Sequence, residues 1–255
     1  MIILFSGTGN SLLVARELQR YLGGEIETVE GERLVNPSGA MIEIPSGEPV
    51  VWVMPVYSWS IPPVMETFIR KVRMKGAHEV PHFLVVTCGD DIGFADNRWR
   101  KLIGRRGWNP RGSFSVTMPN TYVCMKGFDV DSPEVAARKL DAMPGRVEAI
   151  VAAINRGFSE SDVNRGSWAW LKTAVVYPWF RAFAMSPKPF TSTSACISCG
   201  LCSRSCPMEN ITMHNGRPQW GSRCALCLRC YHICPSHAVV YGSATAAKGQ
   251  KKVFT

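Results

Sequence analysis

Met1 to Phe5 is an unbroken apolar run, Ser6 to Asn10 is small, polar and rich in glycine, and Ser11 to Tyr21 sets Leu12, Leu13, Ala15, Leu18 and Tyr21 on a helical period. The start of the chain therefore reads as strand, tight turn, helix. Four further apolar runs, Ile26 to Val29, Val50 to Pro55, Phe83 to Cys88 and Ser113 to Met118, read as strands. Helices are expected at Pro62 to Val72, Phe94 to Arg105 and Pro133 to Arg156, the last with a kink or break at Pro144-Gly145. Strands this apolar, alternating with helices, predict a parallel sheet covered on both faces, complete by residue 157.

Beyond that point the pattern changes. Residues 158–190 run from polar Ser159 to Ser167 into Trp168, Trp170, Tyr177, Trp179, Phe180 and Phe183, then Pro187 and Pro189. They are read as a linker and an apolar helical arm that packs the flanking domains together; Lys172 and Arg181 also suit a membrane-surface or partner-docking helix. Residues 191–255 form a second domain dominated by cysteine. The tail Lys248 to Lys252 is expected to fray.

With 46% hydrophobic and 19% charged residues in 255, the chain has ample material for one or two cores, and disorder or a collagen-like repeat is excluded. No basic leader precedes the first apolar run, so no secretory signal is read and the mature chain is expected to start here, in the cytoplasm. The most apolar window, Trp168 to Met185, contains Lys172, Pro178 and Arg181, so no membrane span is expected. The formal charge of +9 is uneven: residues 1–157 hold 18 Lys/Arg against 17 Asp/Glu, whereas 158–255 hold 11 against 3.

Eight of the ten cysteines lie in that basic third, in two copies of C-x2-C-x2-C-x3-C-P: Cys196, Cys199, Cys202, Cys206, Pro207 and Cys224, Cys227, Cys230, Cys234, Pro235. Three thiolates at successive intervals of three converge on one cubane cluster, and the fourth, displaced and followed by proline, turns to its neighbour. This assigns Cys196, Cys199, Cys202 and Cys234 to one [4Fe–4S] cluster and Cys224, Cys227, Cys230 and Cys206 to the other. Structural zinc spaces its cysteine pairs more widely and asks for no third cysteine or trailing proline, and a reducing compartment disfavours a disulfide knot. From about Thr191 to Tyr241 the chain resembles the bacterial two-cluster ferredoxin domain.

The turn Ser6-Gly7-Thr8-Gly9-Asn10-Ser11 between strand and helix offers N–H groups and hydroxyls to an anion, such as a phosphate. It lacks the lysine of a triphosphate loop and the third glycine of a dinucleotide fingerprint. In its order of hydroxyl, Gly, Thr, Gly, Asn and hydroxyl it resembles the flavodoxin phosphate loop. That resemblance implies a doubly wound five-stranded parallel sheet of order 2-1-3-4-5 with FMN at the carboxyl ends of its strands. The loops falling there are Pro55-Val56-Tyr57-Ser58-Trp59-Ser60 and Thr87-Cys88-Gly89-Asp90, with Trp59 favoured to stack on the flavin, Tyr57 as a second aromatic, and Phe94 further along. Aromatics are few near Asp90, which leaves one ring face open or covered by the other domain. Met118 to Cys124 follows the fifth strand at the same end and is read mainly as a cap on the sheet. Cys88 and Cys124 are read as packing residues, and the five histidines as structural.

An α/β flavodoxin-like domain (1–157) joined to a small α+β ferredoxin-like domain resembles the flavodoxin–ferredoxin fusion flavoproteins of anaerobic microorganisms over nearly the whole chain. The resemblance implies electron transfer between two [4Fe–4S] clusters and FMN, converting one- and two-electron steps. The alternative is an FMN-dependent reductase of a quinone, nitro compound or unsaturated bond, with Tyr57, Tyr122 or Cys88 as proton donor. Clusters and FMN would bring the net charge to about +3, which removes the case for nucleic acid and favours acidic redox proteins such as ferredoxins, or a partner oxidoreductase. A homodimer remains open.

Overall fold

The computed structural model describes residues 1–245 and 247–253; Ala246 and the last two residues of the expected second domain lie outside them. Six parallel strands form the main sheet: β1 (Ile2–Leu4), β2 (Ile26–Thr28), β3 (Val50–Pro55), β4 (Pro81–Cys88), β5 (Asn109–Thr117) and β6 (Ser161–Asp162), in the order β2-β1-β3-β4-β5-β6. The expected 2-1-3-4-5 order is present. The sixth strand is an addition: two residues of the supposed linker pair with Ser113 and Phe114 at the open edge of β5.

Alternate side chains of each strand go to opposite layers. Ile2, Leu4, Val51, Val53, Phe83 and Val85 pack under α1 (Asn10–Leu22) and α4 (Pro133–Asn155), which contribute Val14, Leu18, Val147, Ile150 and Ile154. Ile3, Phe5, Trp52, Met54, Leu84 and Val86 pack under α2 (Pro63–Lys71) and α3 (Ala95–Arg105), which contribute Met65, Phe68, Trp99 and Ile103. Both faces of the central strands are therefore buried, as their unbroken apolar runs require.

Two local expectations are corrected. Helix α4 continues unbroken through Pro144 for its full 23 residues. The proline removes one backbone donor, while the buried face after it, Val147 to Ile154, holds the helix on the sheet. Strand β5 begins at Asn109 rather than Ser113, because Pro81 and His82 extend β4 to meet it, with an irregular register between His82 and Leu84. A separate parallel pair, Met41–Glu43 with Arg73–Lys75, was not expected.

In the cysteine-rich half, β7 (Phe190–Ser192) pairs antiparallel with β10 (Val239–Tyr241), and β8 (Ile211–His214) forms a hairpin with β9 (Arg217–Trp220). The hairpin turns at Asn215-Gly216, both with positive φ (48° and 74°), the pairing favoured by a tight two-residue turn. Short helices α5 (Leu201–Arg204) and α6 (Arg229–His232) each lie inside one cysteine motif. Phe190, Ile211, Leu226, Leu228, Tyr231, Val239 and Tyr241 form the core, joined by Val123 and Cys124 from the loop after β5 and by Phe180 from the arm.

The arm is helical over 169–184, with α turns (Ala169–Leu171, Tyr177–Trp179) alternating with π turns (Lys172–Val176, Phe180–Ala184). Its inner side is tied to carboxylates of the sheet domain, the buried Glu66 and the partly buried Asp91. Tyr177 Oη donates to Glu66 Oε1 (3.2 Å), Arg181 pairs with Glu66 (3.4 Å), and Lys172 pairs with Asp91 (2.6 Å).

The tail is docked rather than frayed. Lys248 Nζ donates to the Val123 carbonyl (2.9 Å), Tyr231 Oη to the Lys248 carbonyl (3.0 Å), and the Lys251 N–H to His232 Nδ1 (3.1 Å). These donors and acceptors would otherwise lie half-buried without partners, which is what holds a polar terminus in place.

Candidate cofactor site

Glycine at position 9, with φ 94°, lets the chain turn directly from β1 into α1. The Ser6 hydroxyl accepts from the Gly9 N–H (3.2 Å), and Ser11 shares a hydrogen bond with Thr87 (2.8 Å), tying the turn to the end of β4. Asn10 Nδ2 donates to the Pro119 carbonyl (2.8 Å), and Asn10 Oδ1 accepts from Lys251 Nζ of the docked tail. An oxygen-rich helix start thus has an ammonium beside it.

A cavity of about 420 Å³ opens from this turn along the carboxyl ends of the strands. Of the residues singled out in the sequence, Ser6, Gly7, Thr8, Asn10, Ser11, Pro55, Val56, Tyr57, Ser58, Trp59, Thr87, Cys88, Gly89 and Asp90 line it. Gly9 and Ser60 stand behind the wall; Ser60 is fully buried and its backbone pairs with that of Tyr57. Phe94 is displaced from the cavity. The positive φ of Gly93 (54°) turns the chain away, the Phe94 N–H donates to Thr173 Oγ1 (3.0 Å), and its ring lies under the Arg165 guanidinium (4.9 Å).

The rest of the wall comes from parts of the chain distant in sequence. Pro119, Asn120, Thr121 and Tyr122 follow β5; Met125 and Phe128 lie beyond; Val176, Trp179 and Phe180 come from the arm; Leu226, Cys227 and Leu228 come from the second cysteine motif. The Met118 to Cys124 loop is thus more than a cap: it lines the cavity and enters the ferredoxin-like core. The face left short of aromatics at Asp90 is supplied by Tyr122, Phe128, Trp179 and Phe180.

Two tyrosine hydroxyls contribute to the polar character of this space. Tyr122 lines it, and its buried hydroxyl has no hydrogen-bond partner among the described residues. Burial raises the Tyr57 hydroxyl well above its ordinary pKa, and the neighbouring Cys227 and Cys224 raise it further. Cys88 and Cys124 are buried, and burial pushes each thiol up to about 12, as for packing residues. His82 is a core residue held between Trp52 Nε1 (3.0 Å) and the Ala77 carbonyl (2.8 Å).

The eight motif cysteines fall into two neighbourhoods. Cys196, Cys199, Cys202 and Cys234 line a second, small cavity of about 20 Å³. Burial raises Cys202, helped by Cys234 and Cys199; burial likewise raises Cys224 to about 12, helped by Cys227 and Cys206. Cys230, raised by burial, lies near Cys227, Cys224 and Cys206. Backbone N–H groups approach the displaced fourth sulfurs, Asn210 to Cys206 (3.4 Å) and Ala238 to Cys234 (3.3 Å). For Cys234, burial acts to raise the thiol, but hydrogen bonds from Val239, Ala238 and Ser236 together outweigh it and lower the pKa. Among the described residues no three His, Cys, Asp or Glu side chains close on a single ion; the first four thiols surround a space. Two four-thiol sets with N–H donors on sulfur are a donor set that fits iron–sulfur clusters.

Arg229, inside the second motif, clamps the two halves. Its guanidinium donates to the carbonyls of Gly7 (2.7 Å), Ser6 (2.5 Å) and Ser205 (3.0 Å) and pairs with Glu30 (3.1 Å). Nothing local in the sequence distinguishes Arg229 or Lys251 from a surface cation.

Residues 195–240 match the family described as the 4Fe-4S dicluster domain. No curated protein matches the chain. Among solved structures, it is similar to the Trp repressor binding protein from Bacillus subtilis, at 10% identity and a TM-score of 0.38, over 58% of this chain and 96% of that one. It is also similar to the Streptococcus pneumonia TIGR4 flavodoxin, at 13% identity and a TM-score of 0.30, over 58% of this chain and 97% of that one.

Proposed function

From a chain that joins a flavodoxin-like parallel sheet to a 4Fe–4S dicluster domain, we propose an electron-transfer iron–sulfur flavoprotein carrying two [4Fe–4S] clusters and FMN. The observation that carries this reading is that Cys227 lines the same cavity as the Ser6–Ser11 turn. Cys196, Cys199, Cys202 and Cys234 would hold one cluster, and Cys224, Cys227, Cys230 and Cys206 the other. The clusters exchange single electrons and the flavin one or two, so the fusion converts between the two kinds of step for external redox partners.

The chain's own residues supply the setting. The Ser6, Thr8 and Ser11 hydroxyls and the N–H groups opening α1 suit the FMN phosphate, and Lys251 adds positive charge at Asn10. Tyr57, within the flavin loop, lies close to Cys227, and Trp59 and the arm complete the cavity wall. Arg229 holds the second cysteine motif against the phosphate turn, replacing a diffusional encounter by a fixed contact. Cys199 and Ile197 of the first motif are exposed, which suits the outer four-cysteine set to exchange with a protein partner.

A second reading, an FMN-dependent reductase of a small organic acceptor, is favoured by one observation: the unpartnered Tyr122 hydroxyl buried in the cavity wall. Saturable turnover of one acceptor, lost in Tyr122→Phe, would support it; acceptor reduction that does not saturate supports the carrier. Anaerobic purification with iron, sulfide and flavin analysis tests the cofactor set. The expected content is about eight irons, eight sulfides and one FMN per chain. Zinc without flavin would overturn it.

A further inference from the structure

We propose that the outer face of the arm, residues 169–184, is a peripheral membrane-binding surface that lies on anionic lipid. The inner side of the arm is consumed by the fold, since Ala169, Tyr177 and Phe180 are buried. Its outer side is not. Leu171, Val175, Trp179 and Phe183 recur every four residues, an interval that the π turns keep on one face, and they are 42%, 51%, 51% and 72% exposed. Trp168 and Trp170 extend the stripe at its start, at 78% and 68%. Six of the eleven large apolar side chains exposed among the described residues lie between Trp168 and Phe183, so the exposure is a patch rather than scatter.

Charge decides what covers it. No Asp or Glu occurs between Asp162 and Glu209, while Arg165, Lys172, Arg181, Lys188 and Arg204 all do. The carboxylates that pair with the arm's cations lie beneath them: Glu66, Asp96 and Asp91 side chains are 4%, 0% and 14% exposed, against 48% for Arg181, 31% for Arg165 and 23% for Lys172. The solvent-facing layer is therefore apolar with a cationic fringe. Three tryptophans and a phenylalanine with such a fringe match the boundary between headgroups and acyl chains, where indole places its ring in the apolar zone and its N–H in the polar one. Anionic headgroups complement the fringe. A second copy of the chain does not, because a twofold contact brings the same patch from each copy, and residues 163–208 hold no carboxylate to meet the fringe.

The mode is attachment to one leaflet, since no helix among the described residues is long and apolar enough to cross a membrane. Val176, Trp179 and Phe180 of the same arm line the large cavity, so attachment sets that wall beside the lipid surface.

The test is flotation of the anaerobically purified full chain with vesicles of phosphatidylcholine alone or with 30% phosphatidylglycerol, for the wild type and for Trp170→Ser with Phe183→Ser, neither of which lines the cavity. Melting temperature and iron content serve as fold controls, and gel filtration reports self-association. The expected result is binding to the phosphatidylglycerol vesicles that weakens with salt and falls at least tenfold in the double variant, with unchanged melting and iron. Absence of binding to anionic vesicles overturns the proposal, as does binding that the double variant leaves intact. A wild-type dimer that the variant splits, without lipid binding, overturns it in favour of a contact between copies. Should the double variant fail to fold, Lys188→Gln keeps the test, with weaker binding to the anionic vesicles expected and unchanged binding contradicting.

Discussion

Gly7 lies directly against Cys227: a Cβ at position 7 would come within 2.7 Å of the Cys227 carbonyl oxygen and 3.0 Å of its Cβ. The Ser6–Ser11 turn of one half and a motif cysteine of the other, 220 residues apart, are thus in backbone contact. Glycine at position 7 serves close approach between the two halves.

Replacement of Gly7 by alanine is expected to force the halves apart or deform the turn, destabilising the folded chain by about 1–3 kcal/mol. The check is the melting temperature of Gly7→Ala together with its flavin content, both of which are expected to fall. A variant with wild-type melting and full flavin would contradict the contact.

Arg229 reaches three carbonyls and Glu30 from one planar group, which a lysine ammonium cannot reproduce. Arg229→Ala leaves buried carbonyls unpaired at the junction and is expected to cost about 2–4 kcal/mol, with Arg229→Lys recovering less than half. Hydrogen exchange at Ser6–Asn10 is the readout, and faster exchange there in both variants is the expected outcome.

Burial lowers Lys251 to about 8, with Asp131 acting in the opposite direction; Asp131 is itself paired with Lys139, and His232 lies beside the Lys251 backbone. Binding a phosphate dianion favours the ammonium, so FMN affinity is expected to be level just below pH 8 and to fall above it, by at most about tenfold per unit. Riboflavin, which has no phosphate, is expected to show no such fall. Lys251→Gln should weaken FMN about tenfold, leave riboflavin unchanged and remove the pH dependence. Equal loss of both flavins would mean that Lys251 acts only on the fold.

His82 is buried neutral, and burial lowers it from 6.5 to about 4. Between those values the unfolded chain binds the proton and the folded one does not, so its contribution is complete above pH 6.5 and lost as pH falls toward 4. The loss approaches about 3 kcal/mol. Urea unfolding at pH 7 and pH 5 is expected to show a smaller acid destabilisation for His82→Gln than for the wild type; an identical pH slope would contradict it.

Much of this was legible in the chain because it is local. Apolar runs bounded by turns marked β1 to β5, the Ser6–Ser11 run marked the turn from strand to helix, and the repeated cysteine interval marked the dicluster domain. What escaped depends on contacts between distant residues. Lys251 meets Asn10 across 241 positions, and β6 takes its pairing from an open edge rather than from its own two residues. Phe94 looked like a rim aromatic until Gly93 turned it toward Arg165, and Pro144 looked like a helix end until the buried face beyond it outweighed one lost hydrogen bond. The apolar arm was visible as composition, but which of its sides faces outward is a tertiary fact.

The most direct test of the central claim follows flavin reduction in the holoprotein by stopped flow after rapid reduction of the clusters, over a tenfold range of protein concentration. With Cys227 in the flavin cavity wall, the account predicts a first-order rate constant that does not change with concentration. A rate that rises in proportion to concentration would place the transfer between molecules and contradict it.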